Sequence, residues 1–517
     1  MSTSRPADTV QADPKPTGIL DLSVEQFAEP RSKRPAPFRP PDSETVRMRA
    51  HDRARWRRPD LVLLVPALVT FMIVAWDLSR PSYWRDEAAT IDADTRSVPA
   101  LLHMLTNVDA VHGAYYLLMW PIVHLFGTNE IVLRLPSALA MAAAATGVAA
   151  LGRRLYSACA GLYAGLAFAA LPQVSRYGQE ARSYALVLAC ATLASYLLVR
   201  ALDEPGRRWL SGYGVAIAVL GVLNLFGLLI LAGHAVFVFA RARALLRRWF
   251  VVAAVSCLPA LPIMVLAWQQ RGQLGWLIPP DPTAAPGDLT VWLAGSTGSV
   301  ALVSILIGFG MRTRRGETAA WLALPWLVAP PLLLISAAAV AMPVYTQRYV
   351  AYCLPALALA VGVGLAGFAR APRVIALLLL AGLGLPTQLA QRQPDGHGDD
   401  IRAAATVLAQ YERPGDGVLY DCPSCHYPDM PREFEFAYPS AFGPLDDLAL
   451  AQSPNASGTL RGIETDQATL VRRLDAMSRV WLVEVDGNAE PASLAASDLH
   501  LIKVYPADNV EVALYGR

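Results

Sequence analysis

Charged residues are scarce in this chain. Of its 517 residues 17% are charged, against about 25% in a typical soluble protein, and 54% are hydrophobic. The net charge is only +2, and no basic stripe with interleaved aromatics is present, which argues against a nucleic-acid partner. The mean hydropathy of +0.35 indicates a membrane protein.

Several signatures of other protein classes are missing as well. No Walker A, GxGxxG or GxSxG motif stands at a strand–turn–helix junction, which argues against soluble nucleotide chemistry and hydrolase activity. No internal repeat is present, although many transporters contain one. A transporter and a non-catalytic membrane scaffold are still alternatives to an enzyme at this point.

Residues 1–59 are polar and rich in proline and arginine. Such a segment buries too little apolar surface to fold, so we expect a disordered cytoplasmic tail. The segment lacks the apolar core and cleavage site of a signal peptide. We therefore expect the first hydrophobic run to remain as a membrane anchor.

Long apolar runs recur between residues 60 and 388. Runs of about 17 to 24 residues can cross a bilayer as helices, and their number predicts about eleven transmembrane helices. The predicted spans lie near residues 60–78, 131–151, 156–172, 183–200, 210–224, 226–241, 249–268, 290–311, 318–341, 349–368 and 372–388.

Clusters of arginine orient these spans, because basic loops stay in the cytoplasm. With eleven spans all the clusters share one side, provided that the short apolar stretch Gly113–Phe126 lies as a helix on the outer face instead of crossing. The N-terminus is then cytoplasmic. The clusters are Arg53–Arg58, Arg153–Arg154, Arg207–Arg208, Arg241–Arg248, Arg312–Arg315 and Arg370–Arg373.

The chain changes character after residue 388. Short alternating runs such as RVWLVEV and HLIKVYP are separated by polar helical stretches, a pattern typical of a small α/β domain. The predicted fold is therefore a polytopic α-helical membrane module over residues 60–388, followed by an extracytoplasmic α/β domain over residues 389–517.

The first outer loop carries an acidic pair, Asp86 and Glu87, within SYWRDEAAT. The pair is compatible with a solvated loop or with chemistry at the membrane surface. A divalent metal bound by some of the later titratable residues is a further possibility, although no ligand spacing is diagnostic. Those residues are Asp92, Asp94, His103, Asp109 and His112.

Several arginines are predicted at the same outer face. Guanidinium groups pair bidentately with phosphate, so these side chains fit a lipid phosphate. Helix-start ion pairs, aromatic belts and snorkelling anchors are the alternatives. The candidate phosphate-binding residues are Arg176, Tyr177, Arg182, Tyr184 and Arg348, with Glu180, Arg134 and His112 as supporting residues.

Cys422 and Cys425 stand in the pattern Cys-Pro-Ser-Cys-His. The pattern matches covalent haem attachment, and zinc or free thiols are further alternatives. A local disulfide in an oxidising compartment needs no additional group, and we therefore predict a disulfide.

Four stretches, in this order, resemble the membrane glycosyltransferases of the GT-C class. They are YWRDEAAT, VHGAYYLLMWPIVHLFGTNEIVLRLPSAL, LPQVSRYGQEARSYAL and QRYVAYCLPALAL. The resemblance is strongest to the bacterial relatives of the protein mannosyltransferase and aminoarabinose transferase group. It covers roughly residues 60–389 and implies the GT-C fold.

The resemblance also implies a reaction. A sugar passes from a polyprenyl monophosphate donor to a hydroxyl of a glycan, lipid or protein acceptor at the outer face of the plasma membrane. Asp86 matches the acidic motif of the first outer loop, which implies that it is the catalytic base, with Glu87 in support. A single displacement inverts the anomeric centre, while Arg176, Arg182, Arg348 or a metal stabilises the leaving phosphate.

The resemblance implies the type of donor but leaves more than one sugar open. Mannose is the expected sugar, with arabinose or aminoarabinose as alternatives. The run HGAYYL stands where the two named subgroups typically carry a Pro-Pro pair. That departure weakens the assignment of a donor or acceptor from the subgroups alone.

Overall fold

A computed structural model describes residues 60–204, 206–312, 314–485, 491–507 and 509–517. Asp60–Arg517 forms one compact unit, which contains a helical bundle and a small sheet domain. The tail predicted for residues 1–59 lies outside the described residues.

The chain is helical from Leu61 to Ala390. Short loops and 3₁₀ turns join the helices. The helices are α1 (Leu61–Ala75), α2 (Arg85–Thr95), α3 (Val98–Asn107), α4 (Gly113–Phe126), α5 (Glu130–Leu155), α6 (Ala158–Ala170), α7 (Pro172–Gly178), α8 (Tyr184–Asp203), α9 (Arg207–Leu223), α10 (Ile230–Arg241), α11 (Leu246–Cys257), α12 (Leu261–Gln269), α13 (Ala285–Ala294), α14 (Thr297–Gly310), α15 (Arg314–Val340), α16 (Leu354–Ala366) and α17 (Arg370–Ala390).

Six helical segments of the described chain are long and apolar enough to cross a membrane. The number rises to eight if two sharply bent pairs each count as one span: α6 with α7, bent by 67°, and α13 with α14, bent by 85°. The chain is thus a multi-pass membrane protein with a C-terminal sheet domain. The count of about eleven spans is not confirmed and stays a prediction.

The stretch Gly113–Phe126 forms helix α4. Tyr115, Tyr116 and Met119 are fully buried on one side of this helix, which packs against α2 and α5. The helix is shorter than the helices that can span a membrane. Its predicted place on the outer membrane face stays a prediction.

Small residues allow close packing in the centre of the bundle. Helix α6 lies against α16, and a Cβ atom added to Gly362 would collide with the backbone of Ala164. A Cβ atom added to Gly364 would likewise collide with the carbonyl of Leu306 in α14. Without a side chain the backbones approach each other, as is common between membrane helices.

The C-terminal region forms a five-stranded sheet in the order β2-β1-β5-β7-β6. Strand β1 pairs in parallel with β2 and β5, whereas β7 is antiparallel to both β5 and β6. A separate pair, β3 and β4, is antiparallel. The strands are β1 (Gly417–Asp421), β2 (Asp446–Asp447), β3 (Leu450–Gln452), β4 (Ile463–Glu464), β5 (Arg479–Val485), β6 (His500–Ala507) and β7 (Val510–Gly516).

Short helices accompany the sheet. Among them, the 3₁₀ turn Met430–Glu433 and helix α19 pack against α2 of the first outer segment. Phe434 shares one buried apolar cluster with Ala88 and Ile91. The helices are α18 (Ile401–Tyr411), α19 (Phe434–Ala437), α20 (Pro439–Phe442), α21 (Pro454–Ser457), α22 (Gln467–Ala476) and α23 (Ala492–Ala495).

Substitution of Gly362 by alanine is expected to lower the free energy of unfolding by about 1–3 kcal/mol, because the added methyl group separates α6 from α16. Thermal unfolding of the purified protein measures the effect. Gly382→Ala is the control: in the described part of the chain no atom lies within 4 Å of a Cβ built there. Both substitutions also favour the helix by about 1 kcal/mol, so this contribution cancels when the two variants are compared. Equal stability of the two variants would contradict the packing argument.

Candidate active site

Asp86 lies in the first turn of α2, where a carboxylate is favoured by the helix dipole. Its Oδ2 accepts a hydrogen bond of 2.8 Å from Nη1 of Arg348, and its Oδ1 lies 3.8 Å from Nη2 of Arg182. The three residues are far apart in the sequence. The fold thus places one carboxylate between two guanidinium groups.

Burial alone would raise the pKa of Asp86, but the positive charges of Arg348 and Arg182 outweigh this and lower the pKa below its ordinary value. The side chain is only 18% exposed. Asp86 is therefore an ionised carboxylate at neutral pH, close to solvent and held by cations.

A chain of hydrogen bonds fixes Arg182 from behind. Its Nη1 donates to the hydroxyl of Tyr116 over 2.7 Å, and that hydroxyl donates to Asp109 over 2.6 Å. His112 lies half-buried beside Tyr116, with 6.1 Å between the ring centroids. Tyr116 was not identified from the sequence, because nothing distinguishes it there from an ordinary interfacial aromatic residue.

Glu87 forms a fully buried ion pair with Arg134 at 2.6 Å. Arg134 also donates to the carbonyls of Leu78, Pro81 and Ser82. Oε1 of Glu87 accepts a further hydrogen bond from the backbone of residue 181 at 2.9 Å. The pair therefore joins α2, α5 and the two loops around the site.

Arg176 and Glu180 form a second ion pair, at 2.9 Å, next to the site. Burial raises the pKa of Glu180 to about 7, although Arg176 opposes the shift. Nη2 of Arg176 donates to the carbonyl of His397 at the start of the sheet domain. Tyr184 packs edge-on against Tyr177, with 5.1 Å between the ring centroids.

A cavity of about 910 Å³ opens beside Asp86. Arg182, Arg348 and Tyr177 line it, whereas Glu87, Arg134, Arg176, Glu180, Tyr184 and His112 do not. Further walls come from tryptophans of the bundle and from the sheet domain. The other lining residues include Trp84, Arg85, Asp109, Trp276, Trp292, His397, Asp399, Ser424, Cys425, His426, Tyr427, Glu433 and Arg461.

Cys422 and Cys425 form a disulfide, with 5.3 Å between their Cα atoms. The bond closes the turn after β1 and places Cys425 and His426 on the cavity wall. Both sulfurs are used in this bond, so neither the haem nor the zinc alternative fits the pair as it stands.

The described residues contain no group of three His, Cys, Asp or Glu side chains arranged to hold a metal ion. Asp92 pairs instead with Arg96 at 2.8 Å. Asp94 is buried, and neither of its oxygens has a hydrogen-bond partner among the described residues. Burial raises the pKa of Asp94 to about 9, so this residue is a neutral acid.

Replacing Arg134 by methionine is expected to destabilise the protein by about 3–5 kcal/mol, because Glu87 would remain buried without its partner. Thermal unfolding is the measurement. Arg402→Met is the matched control: Arg402 donates to carbonyls of the same loop and pairs with Glu130, but it is 36% exposed. We expect a loss of about 1 kcal/mol there. Equal losses in the two variants would contradict a special role for the buried pair.

Residues 114–268 match a sequence family described as dolichyl-phosphate-mannose-protein mannosyltransferase, PMT_2. No curated protein matches the sequence.

Solved structures with a similar fold include ArnT from Cupriavidus metallidurans bound to undecaprenyl phosphate. The TM-score is 0.58 at 13% sequence identity, over 88% of this chain and 97% of that chain. ArnT in the apo state gives a TM-score of 0.57 at 13% identity with the same coverage. AglB from Archaeoglobus fulgidus, in complex with an inhibitory peptide and a dolichol-phosphate, has a TM-score of 0.47 at 12% identity, over 82% of this chain and 69% of that chain.

The sequence match and the ArnT-like architecture confirm the resemblance stated from the four sequence stretches. The chain has the GT-C fold and resembles the membrane glycosyltransferases of the protein mannosyltransferase and aminoarabinose transferase group.

Proposed function

We propose that this protein transfers a sugar from a polyprenyl monophosphate to an acceptor hydroxyl at the outer face of the plasma membrane. The observation that carries the proposal is the position of Asp86 between Arg182 and Arg348 on the wall of a large cavity. The undecaprenyl phosphate bound to the similarly folded ArnT supports a lipid phosphate as the donor group.

The proposed chemistry is a single displacement with Asp86 as the base. Its carboxylate accepts the proton of the acceptor hydroxyl while that oxygen attacks the anomeric carbon. The bond from the anomeric carbon to the phosphate oxygen breaks, and the lipid phosphate leaves with the electron pair. Arg348 and Arg182 stabilise its charge, and the anomeric centre inverts.

The two arginines also link donor binding to the strength of the base. Before the donor binds, both cations favour the ionised form of Asp86 and make it a weak base. A bound phosphate shares their positive charge and adds a negative charge nearby. The pKa of Asp86 then rises, so that the carboxylate accepts a proton more readily when the donor is in place.

Other predicted residues have supporting roles in this proposal. Glu87 and Arg134 hold α2 in position, since their ion pair is buried away from the cavity. Arg176 orients the backbone at His397 through its hydrogen bond to the carbonyl oxygen of that residue. No step is assigned to a metal.

The description of the matching sequence family supports mannose as the donor sugar, with arabinose or aminoarabinose as the alternatives. The arginine clusters support a cytoplasmic N-terminus and an extracytoplasmic sheet domain.

Substitution of Asp86 by asparagine is expected to lower the rate of sugar transfer about 10²–10⁴-fold, because the general base is lost. Transfer is measured with polyprenyl-phosphate mannose and membrane extract as the source of acceptor, and binding of undecaprenyl phosphate is measured in parallel. Binding should persist, since the arginines remain. A wild-type transfer rate in the variant would contradict the role of Asp86, whereas absence of both transfer and lipid binding in the native protein would contradict the function.

Removal of one of the two cations beside Asp86 should change the pH dependence of kcat/KM. In the native protein the lowered pKa keeps Asp86 ionised, so at saturating acceptor kcat/KM for the donor should stay constant down to about pH 5. In Arg348→Gln one of the two cations that counteract the effect of burial is missing, so the pKa of Asp86 rises. The decrease in kcat/KM on acidification should then occur at a higher pH. Arg348→Lys, which keeps the charge, is the control. Identical acid limbs in the glutamine variant and the native protein would contradict this electrostatic coupling.

A further inference from the structure

Glu433 brings a second carboxylate into the cavity, from the sheet domain. It ends the 3₁₀ turn that packs against α2, the helix that carries Asp86. Its side chain is only 6% exposed, yet it lines the cavity. A buried carboxylate at a cavity wall is unfavourable unless its remaining acceptor positions are used.

Arg461 holds Glu433 in place. Nη1 of Arg461 donates to Oε1 of Glu433 over 2.9 Å, and Nε of the same guanidinium lies 3.2 Å from Asp429. The guanidinium also stacks over the ring of Tyr427 at 4.1 Å. This leaves Oε2 of Glu433 without a partner among the described residues, and therefore available to a ligand.

The cations on this side of the cavity already have carboxylate partners. Arg461 contacts the two carboxylates of Glu433 and Asp429. Arg85, which faces the same space, makes two hydrogen bonds to Asp399, at 3.0 Å and 2.9 Å. A phosphate group here would compete with these carboxylates and be repelled by Glu433. A neutral hydroxyl would donate a hydrogen bond to the carboxylate without that penalty.

We propose that Glu433 and its neighbours on the sheet domain form an acceptor subsite that selects an uncharged, polyhydroxylated glycan and rejects phosphorylated acceptors. The inference rests on the proposed function, which supplies the donor at Arg182 and Arg348 of the same cavity. His426, exposed in the same cavity after the disulfide turn, supplies a second polar contact to the acceptor.

The pKa of Glu433 fits this role. Burial raises it to about 7, although Arg461 opposes the shift. When a carboxylate has such a pKa, a hydroxyl that donates a hydrogen bond to it stabilises its ionised form. Glu435, two residues later, is half-buried, but it accepts a hydrogen bond from Tyr420 and does not line the cavity. It provides a matched control.

Binding is tested with the full-length protein in lipid nanodiscs, without donor, by saturation-transfer NMR titration of methyl mannobioside and of its 6-phosphate. The native protein should bind the neutral disaccharide more tightly than the phosphorylated one. Glu433→Gln should weaken binding of the neutral disaccharide about tenfold, as expected for the loss of a hydrogen bond to a charged group. Glu435→Gln should leave it unchanged.

Three results would overturn the subsite: equal affinity of Glu433→Gln and the native protein, tighter binding of the phosphorylated disaccharide, or no binding of either by the native protein. If Glu433→Gln fails to fold, His426→Ala takes its place, with weaker binding expected and unchanged binding counting against the subsite. Undecaprenyl phosphate binding is measured separately. A native protein that binds the lipid but not the disaccharide would contradict the subsite alone. A native protein that does not bind the lipid would count against the proposed function.

Discussion

The buried ion pair between Glu87 and Arg134 determines where the rest of the site lies. Two charges without access to water are tolerated only when every donor and acceptor is satisfied, and here three backbone carbonyls and one backbone amide complete the set. The pair sets the position of α2 against α5. Because Asp86 directly precedes Glu87 and successive helical residues project about 100° apart, this constraint also directs Asp86 to a different face of the helix, toward the cavity.

The cavity combines residues from two very different regions of the chain. The bundle contributes a carboxylate between two cations, and the sheet domain contributes a carboxylate already paired with a cation. The first arrangement has positive charge to offer a leaving phosphate, whereas the second has a hydrogen-bond acceptor to offer a hydroxyl. This difference in charge gives a physical basis for proposing that donor and acceptor bind to different residues of the cavity.

Much of this arrangement could be predicted from the sequence. Charged residues are so rare in the apolar part of the chain that Asp86, Arg182 and Arg348 stand out, and alternating runs identified the C-terminal sheet domain. The pair of Arg176 with Glu180, an i,i+4 pair, was among the alternatives that the sequence offered. The pair of Arg134 with Glu87 was not predictable, because the two residues are 47 positions apart in the sequence and only the fold brings them together. Glu433 was missed for a related reason: in a polar domain one more glutamate carries no signal.

The contact between Met430–Ala437 and α2 has a consequence for how this architecture diversifies. Part of the surface of α2 is covered by Phe434 and its neighbours, so the sheet domain is not an independent appendage. A sheet domain exchanged between relatives would meet an unmatched α2 and displace the very helix that carries Asp86. Under the proposed function, a new acceptor preference is therefore expected to arise from substitutions in the loops of the resident domain, with α2 and residues 430–437 inherited as one unit.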